Sequence, residues 1–189
     1  MPSFDHFNLL APIYDRVIKP PDPKMLRWLA DLPIEGRLLD VGGGTGRSSQ
    51  SLKGEVSSIV IADVSLGMLA QAMKKDGMTL VCSNSEQLPF AEAAFERVIM
   101  VDALHHVYDY RLTLDELWRV VKPGGRIVIE EPDIRTWQTK IIALVEKVAL
   151  MRSHFIAPPL IVDHFRHHNS SMRSVRAGST CWIMIDKRE

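Results

Sequence analysis

The hydrophobic positions of this chain follow two alternating rhythms. Short apolar runs bounded by glycine or polar residues recur at Arg37–Val41, Ser58–Asp63, Thr79–Cys82, 97–101 and 126–130. Each has the length of a buried strand. Between them lie stretches whose apolar residues stand three and four apart, the period of a helix with one covered face. Asp22 can cap a helix opening at Pro23, with Met25, Leu26, Trp28 and Leu29 on its apolar stripe. Further helices are predicted over 47–52, over 66–75 behind a Ser65 cap with Met68, Leu69 and Ala72 inward, and over 113–121. The turn Lys122-Pro123-Gly124-Gly125 ends the last of these. A short helix or ordered arm is expected around 7–18. Residues 137–155 form a long amphipathic stretch with Ile141, Ile142, Leu144, Val145, Val148 and Leu150 as its core face. Another helix starts at Pro158 or Pro159 and runs to Phe165, and 172–176 with 180–185 form a closing hairpin across Ala177-Gly178-Ser179.

Strands that alternate with helices predict an α/β fold whose mostly parallel sheet is covered on both faces. Composition narrows the function classes. The 189 residues are 46% hydrophobic, enough for a sizeable core, and suit one domain with an N-terminal arm (1–20) and a candidate lid (134–168). Lys plus Arg balances Asp plus Glu at 23 each, so no global field draws the chain to nucleic acid or an anionic membrane. Cys82 and Cys181 are the only cysteines, which argues against a disulfide framework or a thiolate metal site; buried free thiols are expected. The N-terminus lacks a basic-then-apolar leader and no apolar run approaches the ~20 residues of a membrane span, so a cytoplasmic protein is expected.

The strongest motif lies at the end of the first strand. In Leu38-Leu39-Asp40-Val41-Gly42-Gly43-Gly44-Thr45-Gly46, glycines at 42, 44 and 46 let the backbone turn sharply and approach a ligand. Asp63 ends the next strand, about 20 residues on, where an acid can accept from both hydroxyls of a ribose. The spacing is G-x-G-x-G; a dinucleotide fingerprint needs a glycine where this chain has Arg47. Asp40, directly before the loop, is awkward beside a pyrophosphate but suits a cationic amino-acid ligand. S-adenosylmethionine (SAM) has that character, with an ammonium, a sulfonium and a ribose.

The ordered motifs resemble the class I SAM-dependent methyltransferases, especially the group containing the ubiquinone and menaquinone biosynthesis methyltransferases. LLDVGGGTG, IADVSLGML, SNSEQLPFAEAAFERVIM, DALHHV and LWRVVKPGGRIVIEEPD carry the resemblance, over residues 4–134 closely and 155–185 loosely. It implies a Rossmann-like seven-stranded sheet, mostly parallel, with the last strand antiparallel. It also implies SAM as cofactor and S-adenosylhomocysteine as product, held by Asp40, Gly42, Gly44, Gly46, Asp63, Val64, Met68, Asn84, Ser85 and Asp102. Where the family usually has an acid for the adenine amino group, this chain has Asn84, which accepts without charge assistance. Phe4, Phe7, Tyr14 and Asp15 resemble the N-terminal arm that covers SAM in relatives.

The acceptor is less legible. His105 and His106 follow the fourth strand, on the acceptor side in this fold, and are the candidate catalytic bases; their alternative role is to shape the pocket. Glu130, Glu131 and Asp133 line that pocket or form a solvated acidic turn. His164, His167 and His168 share helical spacing, but no carboxylate or cysteine set completes a metal site, so a solvated helix face and no metal are expected. The function read from these residues is methyl transfer from SAM to a small organic acceptor, a quinone precursor or another aromatic or lipid-like molecule. The rival is a non-catalytic SAM-binding regulatory or structural protein. No nucleic acid or membrane partner is expected. The oligomeric state is left open, a homodimer being one option.

Overall fold

The computed structural model describes residues 6–18, 20–148 and 153–189. Seven strands build one sheet: β1 (Arg37–Val41), β2 (Ser58–Asp63), β3 (Thr79–Cys82), β4 (Phe95–Val101), β5 (Val121–Pro132), β6 (Ser170–Ala177) and β7 (Thr180–Lys187). Their order is β3-β2-β1-β4-β5-β7-β6. β1 to β5 pair in parallel, and β7 runs antiparallel to both β5 and β6. The helices are α1 (His6–Leu10), α2 (Tyr14–Val17), α3 (Pro23–Leu29), α4 (Leu66–Ala72), α5 (Tyr110–Val120), α6 (Trp137–Val148) and α7 (Pro158–His164).

The period-2 pattern of the strands divides the core into two layers. Leu39 and Val41 of β1, Val98 and Met100 of β4, and Ile127 and Ile129 of β5 pack with Leu114 and Leu117 of α5 on one face. Their sequence neighbours Leu38, Ile99 and Val128 pack with Leu26 and Leu29 of α3 and Leu69 and Ala72 of α4 on the other. The caps also form where the sequence places them. Asp22 accepts from Lys24 N (3.0 Å) and Ser65 from Met68 N (3.4 Å). Asp109 caps α5, accepting from Arg111 N at 2.9 Å, so this helix opens three residues before the predicted start.

Several expectations are corrected. The helix predicted over 47–52 is a short 3-10 turn, Ser49–Leu52, and the arm is two short helices rather than one. Cys181 is buried but Cys82, at the end of β3, is exposed. Trp28 lies outside the α3 core stripe, 62% exposed. In α6 the expected core residues Ile141 and Leu144 face solvent with Trp137, while Thr139 is fully buried. Periodicity identifies an apolar face there but not the direction in which it points. The side chains of Ile142, Val145, Val148 and Leu150 fall outside the described residues. Among the described residues, no helix is long and apolar enough to cross a membrane.

The topology fixes where a ligand can bind. From β1 the chain moves outward to β2, whereas from β4 it moves the other way to β5. The loops leaving the C-terminal ends of β1 and β4 therefore part, and the crevice between them is the binding position of open α/β sheets.

Candidate functional site

That crevice holds a cavity of ≈ 580 Å³, within the size range of small-molecule sites. Gly42, Gly44 and Gly46 all adopt positive φ (69°, 54° and 73°), which explains the glycines of the loop. A Cβ on Gly42 would stand 2.6 Å from Ala103 Cβ, so this glycine also lets the β1 and β4 loops touch. Gly46 is not on the cavity wall; a Cβ there would meet Ile61 Cδ1 at 2.9 Å, so it serves loop-to-sheet packing.

Asp63 binds the loop and faces the cavity at once. Its Oδ2 accepts from Gly44 N at 2.8 Å and its Oδ1 from Ser65 N at 2.8 Å. A carboxylate has about four acceptor positions, so it can hold this backbone and still take hydroxyl donors. Asp40 is fully buried at the end of β1. Its Oδ2 accepts from Ser49 Oγ at 2.6 Å, while Oδ1 has no hydrogen-bond partner. Burial pushes its carboxyl up to about 7, against the bond from Ser49.

Of the remaining residues predicted to hold the cofactor, Val64, Met68, Asn84, Ser85 and Asp102 all line the cavity. Ser85 Oγ stands 3.0 Å from Thr113 Oγ1 of α5. Asp102 has a positive φ of 55° and pairs with Arg47 (3.5 Å), whose guanidinium lies 5.7 Å from the Tyr14 ring centroid. Burial raises the Tyr14 hydroxyl above its ordinary range, partly opposed by Arg47.

The N-terminal arm is fastened to the glycine loop. Asp15 accepts from Thr45 Oγ1 (2.5 Å) and Lys75 Nζ (2.6 Å), and Lys75 also donates to Thr45 O. Burial pushes the Asp15 carboxyl up, but those two bonds hold it below the usual carboxylate range. Phe7 and Tyr14 consequently line the cavity. Phe4 lies outside the described residues.

The two histidines separate. His106 lines the cavity, edge-on to Phe7 with ring centroids 4.8 Å apart. Burial, reinforced by His105, pushes its imidazole down to about 3. His105 is buried behind it, stacked on Phe155, with Nδ1 donating to Glu131 Oε2 at 2.6 Å. Glu131 Oε1 accepts from the backbone N–H of Ala103 (3.1 Å) and Leu104 (2.7 Å). One buried carboxylate thus shapes the whole turn after β4. Glu131 and Asp133 are buried, not solvated: Asp133 is held by Arg135 and Arg176, and the neighbouring Glu130 accepts from Trp182 Nε1 at 2.8 Å. Glu130 and Glu131 border a smaller cavity of ≈ 230 Å³ that shares Arg47 and Asp102 with the large one.

Sequence reasoning missed several wall residues, Ser83, Glu86 and His154 among them. Ser83, one position before Asn84, has a buried Oγ without a partner, and only its place just past β3 hinted at a role. Glu86 accepts from Tyr108 N and Asp109 N, joining the β3 loop to the start of α5. His154 lies on the wall from the far side of the chain, donating its backbone N–H to His105 O at 2.6 Å. No local signal marks Glu86 or His154.

A buried acid stands before the glycine loop and a second acid ends β2, both on the cavity wall, and Arg47 occupies the place of a third fingerprint glycine. Residues 39–129 match the family model described as a methyltransferase domain. Those residues carry a methyltransferase domain, similar to that of the class I SAM-dependent methyltransferases. The chain is similar to the demethylmenaquinone methyltransferase of Corynebacterium urealyticum, 36% identical over 133 residues, which are 69% of this chain and 55% of that protein. The match thus spans about half the length of that relative. Among solved structures, the DhpI–SAH complex aligns with a TM-score of 0.74 at 18% identity, over 97% of this chain and 94% of that one. The [4+2]-cyclase SpnF aligns with a TM-score of 0.78 at 15% identity, over 96% and 93%. These two show the fold.

Proposed function

We propose that the chain binds SAM in this cavity and transfers its methyl group to a small aromatic or lipid-like acceptor, with a quinone precursor as the leading candidate. The observation that carries the reading is the glycine loop joined to Asp63 on the wall of a cavity whose Asp40 carboxyl is buried, half-partnered and poised near neutral pH. The quinone class rests on the likeness to demethylmenaquinone methyltransferases.

The residues present fit SAM. Asp63 would accept from the ribose hydroxyls, Asp40 would face the ammonium, and Met68 with Val64 would cover the adenine. Ser83, Asn84 and Ser85 offer acceptors and donors to its polar edge. When bound, SAM supplies an electrophilic methyl group on a sulfonium leaving group. The protein then has to align the acceptor and exclude water. Phe7, Tyr14 and His106 form the wall suited to that task. The His106 imidazole, depressed to about 3, is uncharged at neutral pH and is too weak a base to extract a proton from an ordinary hydroxyl. It can accept a hydrogen bond and position the acceptor, and His105 acts through it as a positioning residue.

The rival reading is a SAM-binding protein without transferase activity; the fold, which a [4+2]-cyclase shares, serves both. Calorimetry with SAM, S-adenosylhomocysteine and NAD tests cofactor choice; NAD binding as tightly as SAM would overturn the reading. Mass spectrometry of methylated product, with demethylated quinols and small phenols as acceptors, tests transfer. Tight SAM binding with no product across the panel would favour the rival.

A further inference from the structure

Outside the cavity, tertiary packing completes a donor set that is unfinished in the sequence. Asp115 of α5, His164 at the end of α7 and His168 in the following turn each offer one ligand atom, all within 4.8 Å of one another. His164 Nε2 already stands 2.8 Å from Asp115 Oδ1. Zinc holds imidazole nitrogen and carboxylate oxygen at about 2.0–2.2 Å, which puts neighbouring donors about 3.4 Å apart in a tetrahedron. Small side-chain rotations therefore close this set on an ion, with water in the fourth position.

The surroundings favour such a site. Two imidazoles and one carboxylate are a donor set that suits Zn²⁺, Co²⁺ or Ni²⁺ rather than Mg²⁺ or Ca²⁺. The His168 ring packs on Trp118 with centroids 4.6 Å apart, which limits its orientations. Lys187, beside the cluster, directs its ammonium to the carbonyls of Trp118 (2.9 Å) and Val121 (3.0 Å).

We propose that Asp115, His164 and His168 form a binding site for a divalent transition-metal ion that clasps α7 onto α5. The site is independent of the methyl-transfer reading. α7 follows directly on the segment that carries His154 to the cavity wall, and α5 carries Leu112 to the same wall. The clasp would fix both supports without touching the reacting groups.

The test is titration of the chelator-stripped full chain with ZnSO4 by calorimetry and with Co²⁺ by visible absorption. The expected result is saturable one-to-one binding, a tetrahedral Co²⁺ spectrum and a zinc-dependent rise in melting temperature. His168→Gln and Asp115→Asn, which keep a polar side chain of similar length, should each weaken zinc binding about tenfold or more and reduce that rise. Absence of saturable binding by the unaltered chain would overturn the proposal. So would unchanged affinity in either variant, because the ion would then sit elsewhere, for instance on exposed Cys82.

Discussion

Asp40→Asn gives the sharpest test of the site's electrostatics. The folded chain raises this carboxyl from an ordinary 3.8 to about 7, and burial is the leading cause. A shift of about 3 units is worth about 4 kcal/mol at 1.36 kcal/mol per unit. The sign is set by proton linkage. Between pH 3.8 and 7 the folded state keeps a proton that the unfolded chain releases, so folding stability falls as pH rises through that window and levels off above it. Asparagine does not titrate, can still accept from Ser49 Oγ, and leaves a different orphaned group at the Oδ1 position. The stability of Asp40→Asn minus that of the unaltered protein should therefore climb by about 4 kcal/mol between about pH 4 and pH 8, with most of the change below about pH 7. Urea denaturation at half-unit pH intervals measures it, and the groups common to both proteins cancel in the difference. A cation bound beside Asp40 must also draw the carboxyl back to its ionised form. SAM binding at about pH 6 should release a proton, detectable as a dependence of the calorimetric enthalpy on buffer ionisation, and Asp40→Asn should abolish that dependence. A stability difference that stays flat from about pH 4 to pH 8 would refute the reasoning.

Other variants probe the same geometry. Asp63→Asn keeps one acceptor but loses the charge, and should weaken SAM binding about 10- to 100-fold, measured by calorimetry; unchanged affinity would reduce Asp63 to a brace for Gly44 and Ser65. His106→Gln should raise KM for the acceptor while leaving the pH–rate profile without a break near 6.5, because the imidazole is already neutral there. An imidazole-like break lost in the variant would restore a general-base role. Glu131→Ala strips a buried partner from His105 and from the N–H groups of Ala103 and Leu104, and should cost about 3–5 kcal/mol of stability in urea titration; a loss below about 1 kcal/mol would show that the turn is held by other contacts.

How much of this was legible depended on whether the signal was local. The strands were readable because each apolar run is short and bounded, and their alternation with helices pointed to a parallel sheet. Gly42, Gly44 and Asp63 were readable because a tight turn and an acid about 20 residues later sit at fixed offsets. Direction was not local. Ile141 and Leu144 share a helix face with Trp137, yet that face points to solvent, and nothing within α6 says which side meets the sheet. The adjacent histidines looked interchangeable; only the packing of Glu131, 26 residues from His105, buries one and leaves the other on the cavity wall. Asp115 and His164 are 49 residues apart and meet only because α7 packs on α5.

The choice of ligand is decided by the sign of the cavity as much as by its glycines. Asp40, Asp63, Glu86 and Asp102 stand on the described wall, against a single arginine, Arg47, that already pairs with Asp102. A dinucleotide would bring two phosphate charges against Asp40 with no lysine on that described wall to offset them, and at low dielectric like charges a few ångströms apart repel by several kcal/mol. A nucleoside that carries a cation meets the opposite field. Transfer of the methyl group removes the sulfonium charge, so the same carboxylates lose an attractive partner once reaction is complete. On the proposed function, an anionic wall would favour SAM over S-adenosylhomocysteine and so limit product inhibition without any moving part. Because Asp40 is half ionised near neutral pH, that preference should strengthen as its remaining proton is lost.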